Sequence, residues 1–386
     1  MIPNKSNYYM IQEVLEEFMV NGLHQLKSSL EQLFNQLMIA ERENYVGATP
    51  HERTDQRKGY CNGFKNKKLL TRSGELELSV PQVREGGFYP SCLSKGEKVE
   101  QALKLALAEA YVQGVSTRKM KLLTEELCGK EISSTQVSRF AKVLDEEVRQ
   151  FKERPLGSYE YVYLDAQYEK VRYEGSVRSL AVLKAVGINK EGYREILGVS
   201  CSLSEAEVHW RTFLEDLVRR GMRGLKLVVS DDHAGLRAAL RATLPSVQWQ
   251  RCLFHLAQNA SSYAPSASMR GDLCQAVKEI YQATDAEEAT SRLKRMVEKY
   301  KGKADRFCDW LEEHFIEGLA FFQSPKQHWK KIRTVNVVER LNEEQRRRTR
   351  VARLFPSVES CERLVVTIAM RTHEEWATGK KYLRYN

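Results

Sequence analysis

The sequence predicts a mixed α/β domain preceded by a mainly helical region. Two observations carry that prediction. Before residue 150, apolar residues recur mostly at helical spacing. From about residue 158, three β-rich runs come first and further strands then alternate with helices, the order of a mixed sheet covered by helices. The expected division is 1–150 and 151–386, and no internal repeat is visible.

The elements follow in order. Leu26, Leu30, Leu33 and Leu37 form a helical stripe. A stretch rich in Gly, Lys and Arg interrupts the helices at 57–97, where Gly74–Val80 alternates polar and apolar residues as a half-exposed strand does. Ser116 caps a helix to about Leu127, Gly129 turns the chain, and Ser133 or Ser134 caps a second helix from Thr135 to about Phe151. This pair has the form of a helix-turn-helix, with Gln136, Ser138, Arg139 and Lys142 placed to face a DNA groove or backbone.

In the second region, Tyr159–Leu164 reads as a strand ending at Asp165. Strands at about 178–187 and 194–201 follow, joined by the turn Asn189-Lys190-Glu191-Gly192. Ser204 and Glu207 match a capping box that opens a helix with Trp210, Phe213, Leu214 and Leu217 inward and Gly221 at its end. A fourth strand, Leu225–Val229, runs into Ser230-Asp231-Asp232, and a fifth spans about Val247–Cys252. Residues 270–323 read as mainly helical, with Leu293, Met296, Val297 and Tyr300 at helical spacing. Two last helices cover about 336–350 and 357–378.

Composition narrows the function. Of 386 residues, 42% are hydrophobic and 29% charged, as in globular proteins rather than disordered ones. No uninterrupted apolar run exceeds four residues, so no membrane-spanning helix is expected. The opening MIPNKSNYYMIQEVLEEF has no signal-peptide pattern, and eight scattered cysteines without a CxxC pair fit a reducing cytoplasm. The net charge is +10, and residues 331–386, with thirteen Lys and Arg against seven Glu, hold +6 of it. Arg346, Arg347, Arg348 and Arg350 lie within five residues, as a solvated helix face or as contacts to DNA phosphates.

Acidic residues at strand ends suggest chemistry, because ligands gather beyond the strand ends of α/β sheets. Asp165 and Asp231 brought together would repel unless a hard cation lay between them. A third carboxylate would complete a two-metal site for phosphoryl transfer. Glu339, Glu343 and Glu344 are candidates; Glu339 and Glu343 share a helix face, and spacing does not choose between them. Cys252 and His255 have a zinc-ligand spacing, but no second ligand pair accompanies them.

Several motifs occur together. They are Gly59-Tyr60-Cys61-Asn62-Gly63, Val80-Pro81-Gln82-Val83-Arg84-Glu85-Gly86, and Tyr111-Val112-Gln113-Gly114-Val115-Ser116-Thr117-Arg118. After them come Tyr163-Leu164-Asp165-Ala166, Ser230-Asp231-Asp232-His233, Cys252-Leu253-Phe254-His255 and Thr334-Val335-Asn336-Val337-Val338-Glu339-Arg340-Leu341-Asn342, then the arginine run and Phe355-Pro356. In this order, from about residue 40 to the end, the sequence resembles the Mutator-type family of bacterial insertion-sequence transposases. Cys61 departs from the basic residue that relatives often carry.

The resemblance implies a DDE enzyme with an RNase H-like catalytic domain, a helical insertion at about 270–323, and a DNA-binding region before it. It selects Asp165, Asp231 and Glu339 as catalytic and metal-binding residues, ahead of Asp232 and Glu343. Cys252 and His255 become supporting residues. The implied cofactor is Mg²⁺, two ions, with Mn²⁺ as a substitute. The implied partners are double-stranded DNA, as terminal inverted repeats and target, and at least a second copy of the chain when bound to DNA. The expected location is the bacterial cytoplasm, at the nucleoid. Two other readings are an inactive, transposase-derived DNA-binding protein and a nuclease that cuts without joining.

Overall fold

The computed structural model describes residues 26–49, 52, 54, 57–71, 73–84, 87–113, 115–128 and 130–385. Gly129, Glu85, Gly86, Gly114 and the opening stretch 1–25 lie outside the described residues, as do the side chains of Leu26, Ser134 and Ser138. The chain divides into two compact units, Met1–Val143 and Leu144–Asn386.

The first unit begins with helix α1, Leu26–Val46. Strands β1, Cys61–Thr71, and β2, Gly74–Val83, follow as an antiparallel hairpin. β2 alternates as expected, burying Leu76, Leu78 and Val80. Against that row α1 turns Leu30, Phe34 and Met38, whereas Leu37 of the expected stripe is 45% exposed. The rotation has a polar cause. Glu31 and Asn35 accept hydrogen bonds from the backbone N–H groups of Glu77 and Ser79, which fixes the adjacent face inward.

Helices α2, Gln101–Val112, α3, Thr117–Cys128, and α4, Ser134–Phe140, complete this unit around Leu103, Leu107, Met120, Ile132 and Val137. The serine caps fall where expected. Ser116 Oγ accepts from Lys119 N, and Ser133 forms a reciprocal capping box with Gln136. The single helix expected from Thr135 to Phe151 is broken, however. A 3₁₀ turn spans Ala141–Leu144, and a new helix, α5, runs over Asp145–Glu153. Asp145, Glu146 and Glu147 occupy its first turn, where the helix dipole favours negative charge.

The second unit is built on a five-stranded sheet in the order β5-β4-β3-β6-β7. β3 is Tyr159–Tyr173, β4 Ser176–Asn189 and β5 Arg194–Ser202, paired antiparallel in sequence. β6, Leu227–Ser230, and β7, Gln248–Arg251, extend the other side of β3 in parallel. Helices α6, Glu207–Arg219, and α7, Ala234–Thr243, cover one face. There Leu164, Leu183, Leu197 and Val228 meet Trp210, Phe213, Leu214, Leu217 and Leu236. The expected Ser204 capping box is absent: Ala206 is the N-cap, Ser204 Oγ accepts from the N–H of Ala206, and Glu207 pairs with Arg211. Gly235 is required by close packing, since a Cβ there would lie 2.3 Å from the carbonyl oxygen of Glu205.

Helices α8, Leu253–Ala260, α9, Arg270–Ile280, α10, Ala286–Tyr300, and α11, Asp305–His314, follow β7. Then come α12, Lys326–Ile332, α13, Asn336–Ala352, and α14, Val358–Thr378. α14 packs on β5 and β3, and α13 on β3 and β4. Among the described residues no helix is long and apolar enough to cross a membrane.

Candidate active site

The period of a strand decides which β3 side chains meet α13. Val162, Leu164 and Ala166 point toward α6 and α7. Asp165, Gln167 and Glu169 therefore share the opposite face. Asp165 does not end its strand, as the sequence had suggested. β3 continues for eight residues beyond it because β4 stays paired, with Lys184 opposite Asp165. What does end there is the parallel pairing: Tyr163 lies opposite Val229, and β6 stops at Ser230. β6 thus delivers Asp231, directly after Ser230, at the point where pairing with β3 ends.

A ladder of polar contacts sets α13 on this face. Asn342 Nδ2 donates to Asp165 Oδ2 at 2.6 Å, Gln345 meets Gln167 at 3.3 Å, and Thr349 Oγ1 donates to Glu169 Oε1 at 2.9 Å. One turn before Asn342, the same helix carries Glu339. Cys252 ties in the segment leading to it. Its sulfur accepts from the N–H of Val335 at 3.4 Å, and the next N–H, of Leu253, donates to the carbonyl of Arg333 at 3.0 Å.

His255 stands among the carboxylates. Its Nδ1 lies 3.8 Å from Asp231 Oδ1 and its Nε2 3.9 Å from Glu339 Oε1. Hydrogen bonding to Cys252, with the charges of Cys252, Asp231 and Asp165, outweighs burial and raises the ring to about 9. The raise favours the cationic ring, and a cation there offsets carboxylates that would otherwise repel. Burial raises Asp165, opposed by the bond from Asn342 and the charge of Lys184. Burial also raises Glu339, opposed by His255 and reinforced by Asp165 and Glu343. Side chains of Asp231 and Glu339 remain 46% and 34% exposed, so the cluster is reachable from solvent.

The donor set of Asp165, Asp231 and Glu339 consists of hard carboxylate oxygens, which suit Mg²⁺ or Mn²⁺ rather than zinc. Their ligand atoms are spread wider than a closed cluster. Among the described residues, the set of acidic and histidine groups whose ligand atoms lie within 4.8 Å of one another is Asp232, His314 and Glu317. That set is closed by cations of its own. Arg237 and Arg251 each bridge Asp232 and Glu317 at 2.7–3.0 Å, making an ion-pair cluster. Cys252 and His255 find no second zinc-ligand pair among the described residues.

The sequence fits the family model described as transposase, Mutator family, over residues 6–379. The chain belongs to the Mutator family of transposases. Its Mutator relatives include the transposase for insertion sequence element IS406 of Burkholderia multivorans, 48% identical over 368 residues, 95% of each chain. The transposase for ISRM5 of Rhizobium meliloti is 43% identical across 96% of this chain and 93% of its own. The transposase for IS256 in transposon Tn4001 of Staphylococcus aureus is 37% identical across 93% of each.

Two residues of the Mutator chain's cluster had no role assigned from sequence: Lys184, and Asn342, which closes the motif that carries Glu339. Lys184 left a visible signal, a lone charge inside the apolar run Leu180–Ile188. The arginines of α13 divide. Arg346 and Arg350 are exposed, and Arg346 acts electrostatically on Glu339 and Glu169. Arg348 is instead turned inward, 11% exposed, and paired with Glu344, which also holds Arg347 at 3.0 Å. In the first unit Arg139 and Lys142 are exposed at the end of α4 and just beyond. A groove of about 830 Å³ beside the hairpin is lined by six lysines, Lys65, Lys67, Lys68, Lys95, Lys98 and Lys130, and by Glu75, Glu97 and Glu131, with Glu75 paired to Lys68 and Lys130.

Proposed function

We propose that this chain binds the terminal inverted repeats of an insertion sequence and catalyses metal-dependent cleavage and strand transfer of DNA. The carrying observation is the convergence of Asp165, Asp231 and Glu339, from three separate elements, around His255. An RNase H-like reading of the catalytic domain is supported by three antiparallel strands continued by two parallel ones, with the acids on the central strand and directly after its parallel neighbour. The proposed division is a DNA-binding region over 1–150 and a catalytic domain over 151–386, with 270–323 as a helical insertion.

Asp165, Asp231 and Glu339 would hold the divalent cations, Mg²⁺ or Mn²⁺. Held there, such ions would supply Lewis-acid activation of an attacking water or DNA 3′-hydroxyl oxygen and charge stabilisation at the leaving oxygen. The protein does the rest. Cys252 anchors the approach to α13 and so the position of Glu339. Arg346 and Arg350 offer charge to backbone phosphates beside the cluster, while Arg139, Lys142 and the lysine groove offer it in the DNA-binding region. Joining two element ends calls for at least two copies of the chain on DNA.

The test is cleavage of a labelled element end, and joining of pre-cut ends, by wild type and Asp165→Asn in Mg²⁺. The variant should bind the ends and neither cut nor join. Full cleavage by Asp165→Asn would overturn the assignment, and cutting without joining by wild type would favour a nuclease.

A further inference from the structure

Lys184 is completely buried, in a row of β4 whose neighbours on the same face are the apolar Val182 and Val186. Burying an amine there costs free energy that a third valine would not. The expense has a geometric counterpart. Lys184 lies directly across the sheet from Asp165, and its Nζ donates to Asn342 Oδ1. Asn342, only 4% exposed, then has its Nδ2 left for Asp165 Oδ2. An asparagine amide is nearly symmetric in shape, and only its partners decide which end is oxygen. Protonated, Lys184 makes that decision, because an ammonium group has three donors and no acceptor and so demands the oxygen.

We propose that Lys184 and Asn342 are positioning residues: Lys184 fixes the amide of Asn342, and the amide holds the Asp165 carboxylate in the orientation that receives a divalent cation. The proposal rests on Asp165 being a metal ligand. It accounts for two polar residues, 158 positions apart in sequence, that packing alone does not require. Partners of this kind, behind a metal-binding carboxylate, are worth about 10–100-fold in affinity or activity.

The experiment is Mn²⁺ titration of the full-length protein by calorimetry, beside thermal denaturation, for wild type, Asp165→Asn, Asn342→Ala, Lys184→Met and the double variant. Asn342→Ala should weaken Mn²⁺ binding about 10–100-fold. Lys184→Met should weaken binding in the same direction and lower the melting temperature, since it leaves the buried Asn342 Oδ1 without its donor. The double variant should be no weaker than Asn342→Ala, because both substitutions cut one chain of contacts. Asn342→Ser serves if Asn342→Ala does not fold. Wild-type affinity in the Asn342 variant, or losses that multiply in the double variant, would overturn the positioning role alone. Equal binding by wild type and Asp165→Asn would overturn the metal assignment, and the positioning role with it.

Discussion

Arg251 Nη1 lies 3.0 Å from Asp232 Oδ2 and 2.7 Å from Glu317 Oε2, joining the end of β7 to the residue after Asp231 and to the segment beyond α11. The arginine is 3% exposed. Its removal leaves the two carboxylates facing each other with Arg237 bridging them and His314 against Glu317 alone. Breaking a buried pair from one side costs about 3–5 kcal/mol. Arg251→Met should therefore lower unfolding stability by about that amount in urea denaturation. A loss under about 1 kcal/mol would show that Arg237 alone suffices.

Glu339 and Glu343 share one face of α13, but only Glu339 approaches His255. Glu339→Gln should reduce DNA-end cleavage by at least about 1,000-fold, the scale of several kcal/mol of lost metal-centred stabilisation. Glu343→Gln should stay within about threefold, since it changes only a neighbouring charge. Equal losses in the two variants would leave the helix face, rather than Glu339, as the relevant feature.

The arginine run should separate by salt dependence. Each exposed arginine that contacts a phosphate contributes about 0.9 to the slope of log affinity against log salt. Arg346→Ala and Arg350→Ala should each lower that slope by about this amount in fluorescence titrations with end DNA. Arg348→Ala should leave the slope unchanged and lower the melting temperature, because Arg348 faces Glu344 in the protein.

A further expectation concerns pH. Folding raises the His255 ring to about 9. A ring raised on folding stabilises fully below its unfolded value, about 6.5, and that stability is lost as pH rises through about 9. Without metal, wild type should lose stability relative to His255→Gln between pH 6.5 and 9.5, measured by urea denaturation at each pH. Parallel curves for the two proteins would mean that His255 is neutral throughout.

Local pattern reached most of the second unit, because strands buried on both faces and helices with one apolar face announce themselves. It stopped where a partner distant in sequence decides the outcome. Asp165 reads as a strand end because aspartate is poor in strands, yet pairing with β4 carries the strand past it. β1 escaped notice because most of its residues are exposed and show no alternation. In α1 two stripes satisfy the helical period, and only the bonds from Glu31 and Asn35 to the hairpin choose between them. Asp165, Asp231 and Glu339 stood out as motif positions. Asn342 closes the same motif as Glu339 but carried no role there, since its meaning lies in two side chains, Lys184 and Asp165, on strands it meets only after folding.

The ladder of Asn342, Gln345 and Thr349 on Asp165, Gln167 and Glu169 has a consequence for how the chain tolerates change in length. It grips α13 by its own strand-facing side, three rungs at once, while the Cys252 contacts hold the chain just before it, so residues farther upstream do not set its register. Residues added or lost between α9 and α11 would be absorbed as a longer or shorter excursion from the sheet. Glu339 would stay at the same height over Asp165. The intervening helices are thereby free to diverge in size while the spacing of the acids is kept by the strand.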